Sequence, residues 1–164
     1  MILLTIIAIF FFTKHYLEQD INMSLKYGIL AVSLYTIIIY IHGISDLSIL
    51  ISIIGIISMT LSLNVPKKLK QKFSMVSIFI IGLLFFIVDH SEGTLLIFTA
   101  LIISTIATYS KSILKMKILY FLSNILWLSF GFYIGSTEAI IFDIVGFFAL
   151  ITFFVKYNQS TKVQ

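Results

Sequence analysis

Seven apolar runs within 164 residues leave this chain few folds to choose from. They cover Met1–Thr13, Tyr27–Ile41, Leu47–Leu63, Phe73–Val88, Thr94–Tyr109, Ile118–Ile134 and Ala139–Val155, with short polar breaks between them. Each holds about 13 to 17 residues, or roughly 20 to 26 Å of helix. That is short of the ~20 residues that usually cross a ~30 Å hydrocarbon core, and flanking Tyr, Lys and Thr residues extend several runs to the interface. Strands of a lipid-facing barrel would alternate apolar and polar residues. Runs such as IFIIGLLFFIV, Ile78 to Val88, do not alternate. A helix satisfies every backbone polar group within its own segment, which hydrocarbon demands. The expected fold class is therefore all-α, a polytopic membrane protein with seven transmembrane helices in one integral membrane domain, residues 1–164.

Composition excludes the soluble alternative. The chain is 60% hydrophobic and 11% charged, with a mean hydropathy of +1.12, where a soluble domain is about a quarter charged. No cysteine is present, so neither a disulfide framework nor a thiolate metal site can form. The sequence pI near 9.3 reflects lysines in short breaks between apolar runs, not a nucleic-acid surface, and no nucleic-acid partner is expected. Met1 to Phe12 lacks a basic lead and a small-residue cleavage site, so it reads as a retained span. Its shortness is what a clipped start would leave.

The eleven lysines divide unevenly. Numbering the breaks in order, Lys14 and Lys26 fall in the first, Lys67, Lys68, Lys70 and Lys72 in the third, Lys111, Lys115 and Lys117 in the fifth, and Lys156 and Lys162 in the tail, residues 156–164. The second, fourth and sixth breaks carry Asp46, Asp89, Glu92 and Glu138 and no lysine. The positive-inside rule then puts the amino terminus outside and the carboxyl terminus in the cytoplasm.

The chain also reads as duplicated. Lys26 to Ser58 can be laid on Lys117 to Ala149 with a shift of about 91, so that Ser33 meets Asn124, Ser52 meets Asp143 and Gly55 meets Gly146. Two parallel three-helix units, residues 1–63 and 94–155, joined by a linker helix at 73–88, give a 3+1+3 arrangement of the kind many transporters use.

Polar and small residues inside the spans mark the candidate site. Asn124, Trp127, Gly131 and Gly135 recur at helical spacing, and the two glycines form a G-x-x-x-G that admits a close backbone. Asp143 and Gly146 share a face of the last span, and Gly55 holds the matching place in the third. These four glycines are the expected packing points. Ser48, Ser52, Gly55 and Ser62, and likewise Ala100, Ser104 and Thr108, form stripes that suggest helix contact. A carboxyl near mid-bilayer costs about 2.5 to 3.5 kcal/mol, so Asp143 should face the bundle interior. With no lysine expected inside a span, it would be protonated, hydrogen-bonded to neighbouring groups, or set in a wet cavity. Asp143 then either contacts a substrate or carries a proton, or else locks two helices. Asn124 reads as interhelical glue or a site wall, and Trp127 as core filler or a substrate platform.

Other clusters are less specific. Asp89, His90 and Glu92 match no metal-ligand spacing, and no metal or cofactor is expected. Pro66 to Lys72 could meet anionic headgroups, although topology alone accounts for it. No Ser–His–acid set or phosphate loop is present on a common side, so an enzyme is not expected.

From Thr94 onward the stretches TLLIFTALIISTIATYSK and KMKILYFLSNILW, the Gly135–Ser136 turn and an acid at Asp143 resemble the YgjV-like family of bacterial inner-membrane proteins. The resemblance implies a bacterial inner-membrane location and carries no biochemical activity. More distantly, the 3+1+3 layout with Asn and Trp ahead of a glycine is similar to the SWEET and PQ-loop proteins. That likeness implies a substrate site between the two units, with Asn124 and Trp127 in its wall. The one proline, Pro66, lies outside the spans, so bending would fall to glycines. Two functions follow as expectations: a small carrier for a polar solute with Asp143 near its site, or a non-transporting receptor or assembly partner. Membrane lipid is the expected partner, and a homo-oligomer is open.

Overall fold

A computed structural model describes residues 2–41, 46–87 and 92–161. Among them are seven helices: α1 Ile2–Leu17, α2 Ile21–Ile41, α3 Asp46–Asn64, α4 Lys70–Ile87, α5 Glu92–Thr108, α6 Ile113–Ile134 and α7 Thr137–Thr161. Among the described residues, each apolar run falls in a helix of its own. Four helices, α2, α4, α6 and α7, are long and apolar enough to cross a membrane, while α1, α5 and Ser48–Asn64 of α3 are shorter apolar helices.

Several helices run past their apolar stretches because polar residues at the water end continue or cap them. Asp20 Oδ1 accepts the Met23 amide at 2.8 Å and starts α2 six residues before Tyr27. Ser112 is the N-cap of α6, its hydroxyl accepting from Lys115 N–H at 3.4 Å. Two expectations change as a result. Residues 156–161 of the segment read as a tail are helical, since α7 continues to Thr161. Lys117 is not a loop lysine either; it sits in α6 and is fully buried. Helix extension has carried it inward, so a span does contain a lysine.

Short connections make chain neighbours antiparallel, and α1–α2–α3 and α5–α6–α7 each pack in chain order. Contacts of α3 with α5 and of α1 with α7 close these six helices into a ring. Helix α4 packs mainly on the outside of α5 and leaves Val76, Phe79, Leu83 and Phe86 exposed. Ser24, Ser62, Thr105 and Asn124 are buried while Ile, Leu and Phe face outward. This inversion of the soluble pattern suits hydrocarbon as the surrounding solvent.

The interior is not one uniform core. At the lysine-bearing end, Tyr16, Leu25, Met59, Ala107, Met116, Tyr120 and Leu150 unite all six ring helices. Toward the other end the packing splits. Ala8, Ile38 and Phe142 hold α1, α2 and α7 together, while Ile51, Ile81, Ile97, Phe98 and Leu101 hold α3, α4 and α5. Space is left between the two.

Candidate functional site

A cavity of about 150 Å³ lies on the ring axis. That is room for several waters or a small solute, since one water needs roughly 10 to 15 Å³ on this measure. It reaches Ser48 and Ser136 at the lysine-free end and stops on His15, Tyr16 and Tyr120. All six ring helices line it and α4 does not.

Asp143 is in its wall, half-buried, with no hydrogen bond or ion pair to its carboxyl among the described residues. Tyr16 of α1 and Tyr35 of α2 line the same cavity. Aromatic rings pack around this corner: Tyr35 meets Phe142 edge-on at 4.9 Å, and Phe12 meets Tyr16 at 5.2 Å and Phe142 at 5.9 Å. Trp127 also lines the cavity, across from this group, edge-on to Phe130 at 6.3 Å.

Asn124 sits behind the wall. It is 1% exposed, and its Nδ2 donates to the backbone carbonyl of Asp143 at 2.7 Å, clamping α6 to α7. Its Oδ1 has no hydrogen-bond partner. The carbonyl acceptor fixes the amide orientation, because a flip would set oxygen against oxygen. Asp143 and Asn124 therefore meet through the Asp143 backbone, and the carboxyl is left for the cavity.

The glycines divide by role. At Gly146 an added Cβ would lie 2.7 Å from Tyr16 Cε2 and 3.1 Å from Asn124 Oδ1, so α7 touches both neighbours there. Gly131 brings α6 against Ala139 and Ile140 of α7. Gly55 and Gly135 act otherwise, with nothing within 4 Å of either Cβ position. Gly55 opens onto the cavity. Gly135 ends α6 at φ 66°, its amide and that of Ser136 returning to Phe132 and Gly131 carbonyls, a left-handed cap that favours glycine.

Three helices are tied beneath the cavity floor by a polar knot that sequence patterning missed. Lys117 Nζ donates to the His15 carbonyl and, at 2.9 Å, to Ser24 Oγ. Ser24 Oγ–H donates to the same carbonyl at 2.7 Å, and His15 Nδ1 pairs with the Ser24 carbonyl at 2.7 Å. Because that acceptor is a carbonyl, the proton is on Nδ1. Lys117 also lies 5.5 Å from the centre of the Phe153 ring. Nearby, Lys70 donates to Ser62 Oγ at 3.2 Å, and Ser62 donates to the Thr108 carbonyl at 2.7 Å. The lysine spacing carried the only signal for these residues, and it had read as topology alone.

Among the described residues, no three His, Cys, Asp or Glu side chains converge on one point. Asp89 and His90 lie outside the described residues, and Glu92 is an exposed residue in the first turn of α5.

The family model Imp-YgjV, bacterial inner membrane protein, matches residues 3–161. The chain belongs to this family. An Imp-YgjV protein is a bacterial inner-membrane protein, which agrees with the outward-facing apolar surface and the four helices of spanning length. Neither a curated protein nor a solved structure matches the chain. A relation to SWEET and PQ-loop proteins is not shown by these matches.

Proposed function

We propose that this Imp-YgjV protein is a small carrier that holds a polar solute between two three-helix units. Its seven helices all cross the membrane, with the amino terminus outside and the carboxyl terminus in the cytoplasm. The observation that carries the reading is the axial cavity with an unpartnered Asp143 carboxyl in its wall. A buried carboxyl is costly in a membrane, and a wet or ligand-filled space is what offsets that cost. The ring order supports the repeat: α1–α2–α3 corresponds to α5–α6–α7, the closures α3/α5 and α7/α1 are equivalent, and α4 stands outside as a linker. Ser52 and Asp143, paired by the shift of about 91, both line the cavity, whereas Ser33 and Asn124 do not.

The competing reading, a non-transporting receptor or assembly partner, draws on the closely bonded lysine end, where Lys117, Ser24 and His15 tie three helices. Flux into proteoliposomes separates the two. A carrier loses or uncouples flux in Asp143→Asn while keeping its fold; unchanged flux in a folded variant rejects the role given to Asp143. Orientation is open to a background-free test because the chain has no cysteine. A membrane-impermeant maleimide should label Thr137→Cys from the periplasm and leave Lys111→Cys unlabelled until the membrane is broken, and the reverse result refutes the topology.

A further inference from the structure

We infer that the cavity takes a small organic cation, an alkylammonium or quaternary ammonium, with its charge on the Asp143 carboxylate and its carbon shell against the rings of Tyr16, Tyr35 and Phe142. The inference deepens the carrier reading and rests on the same cavity. It follows first from the sign of the wall. Among the described residues Asp143 is the one carboxylate lining the cavity, no lysine lines it, and His15 lines its floor. Lys117 is buried but not part of the wall, and its ammonium donates to the His15 carbonyl and to Ser24 Oγ.

Four of the wall hydroxyls add acceptors. Ser52 donates to the Ser48 carbonyl, Ser104 to Leu101, Thr108 to Ser104 and Ser123 to Ala100, at 2.9 to 3.0 Å. Thr108 having spent its hydrogen, the 2.8 Å bond it shares with Tyr120 must be donated by Tyr120. These oxygens keep lone pairs for a ligand and have no hydrogen to offer. An ammonium needs only acceptors, and these four hydroxyls supply them, while the donors of Tyr16, Tyr35 and Trp127 line the same wall. The aromatic corner supplies the rest. Rings of Phe12, Tyr16, Tyr35 and Phe142 cluster beside the carboxyl at centroid spacings of 4.9 to 5.9 Å, and aromatic faces attract quaternary ammonium groups.

Trp127 reports on the site directly, being the only tryptophan in the chain and part of the cavity wall. Detergent-purified protein would be titrated with ethylammonium, tetramethylammonium and choline, and with 3,3-dimethylbutan-1-ol as the neutral isostere of choline, following Trp127 fluorescence and melting temperature. The expected result is a saturable change with at least one ammonium, none with the isostere, and a loss of affinity of about 30-fold or more in Asp143→Asn. No response to any ammonium overturns the inference, as does an equal response to the isostere. If Asp143→Asn does not fold, Tyr35→Phe and Asp143→Glu stand in: ammonium binding retained in both with the isostere still silent supports the site, and an isostere that binds either one as well as choline does refutes it. The carrier reading fails separately. Ammonium binding without flux into proteoliposomes removes the carrier and keeps the cation site; flux of a neutral solute without ammonium binding does the opposite.

Discussion

The proposed duplication pairs Gly55 with Gly146, yet alanine at each should move stability in opposite directions. At Gly146 the new Cβ would sit 2.7 Å from Tyr16 Cε2 and 3.1 Å from Asn124 Oδ1. The first distance is about 0.7 Å inside ordinary van der Waals contact. Phe12, His15 and Tyr120 pack against its ring at 5.2, 4.8 and 6.1 Å, so Tyr16 can yield only toward the cavity. Overpacking of this kind costs about 1 to 3 kcal/mol, against a gain of up to about 1 kcal/mol from replacing a helical glycine. Gly146→Ala should therefore destabilise by about 1 to 2 kcal/mol. At Gly55 nothing lies within 4 Å, so only the propensity gain remains and Gly55→Ala should be neutral to about 1 kcal/mol stabilising. Reversible unfolding in mixed micelles would measure both. Tyr16→Leu should relieve the clash, and a double-mutant cycle with Gly146→Ala should show coupling of about 1 kcal/mol or more. Equal effects at the two glycines, or no coupling to Tyr16, would refute the α1–α7 contact.

Asn124→Asp sets carboxylate lone pairs against the Asp143 carbonyl and should cost about 1 to 3 kcal/mol, while Asn124→Leu, which also removes the unpartnered Oδ1, should cost less; thermal unfolding ranks them. Gly135→Ala at φ 66° should lower stability by about 1 to 2 kcal/mol, and Gly135→Asn by less, in the same measurement. Lys117→Met should stay within about 1 kcal/mol of the parent, because the His15 carbonyl keeps its bond from Ser24, whereas Lys117→Ala leaves a void and should cost about 2 to 4 kcal/mol. A Lys117→Met protein as unstable as Lys117→Ala would show that the ammonium, not the packing of its stem, holds the floor together.

The sequence by itself determined the solvent, the helix count and the places where lysines gather. Those properties follow from local composition, because hydrocarbon forces each apolar run to satisfy its own backbone and leaves charge at the ends. It also singled out Asp143, since a carboxyl inside an apolar run is costly wherever the run packs. Tertiary structure decided what such residues touch. The stripes Ser48–Ser52–Gly55 and Ser104–Thr108 read equally as helix contacts or as a cavity wall, and only the splitting of the core toward the lysine-free end makes them a wall. Asn124 and Trp127 lie one turn apart on α6, yet one clamps α7 and the other faces the cavity. His15, Ser24 and Lys117 are spread over 102 residues of chain and meet at a single carbonyl. No local pattern encodes that meeting, because it depends on how α1, α2 and α6 cross.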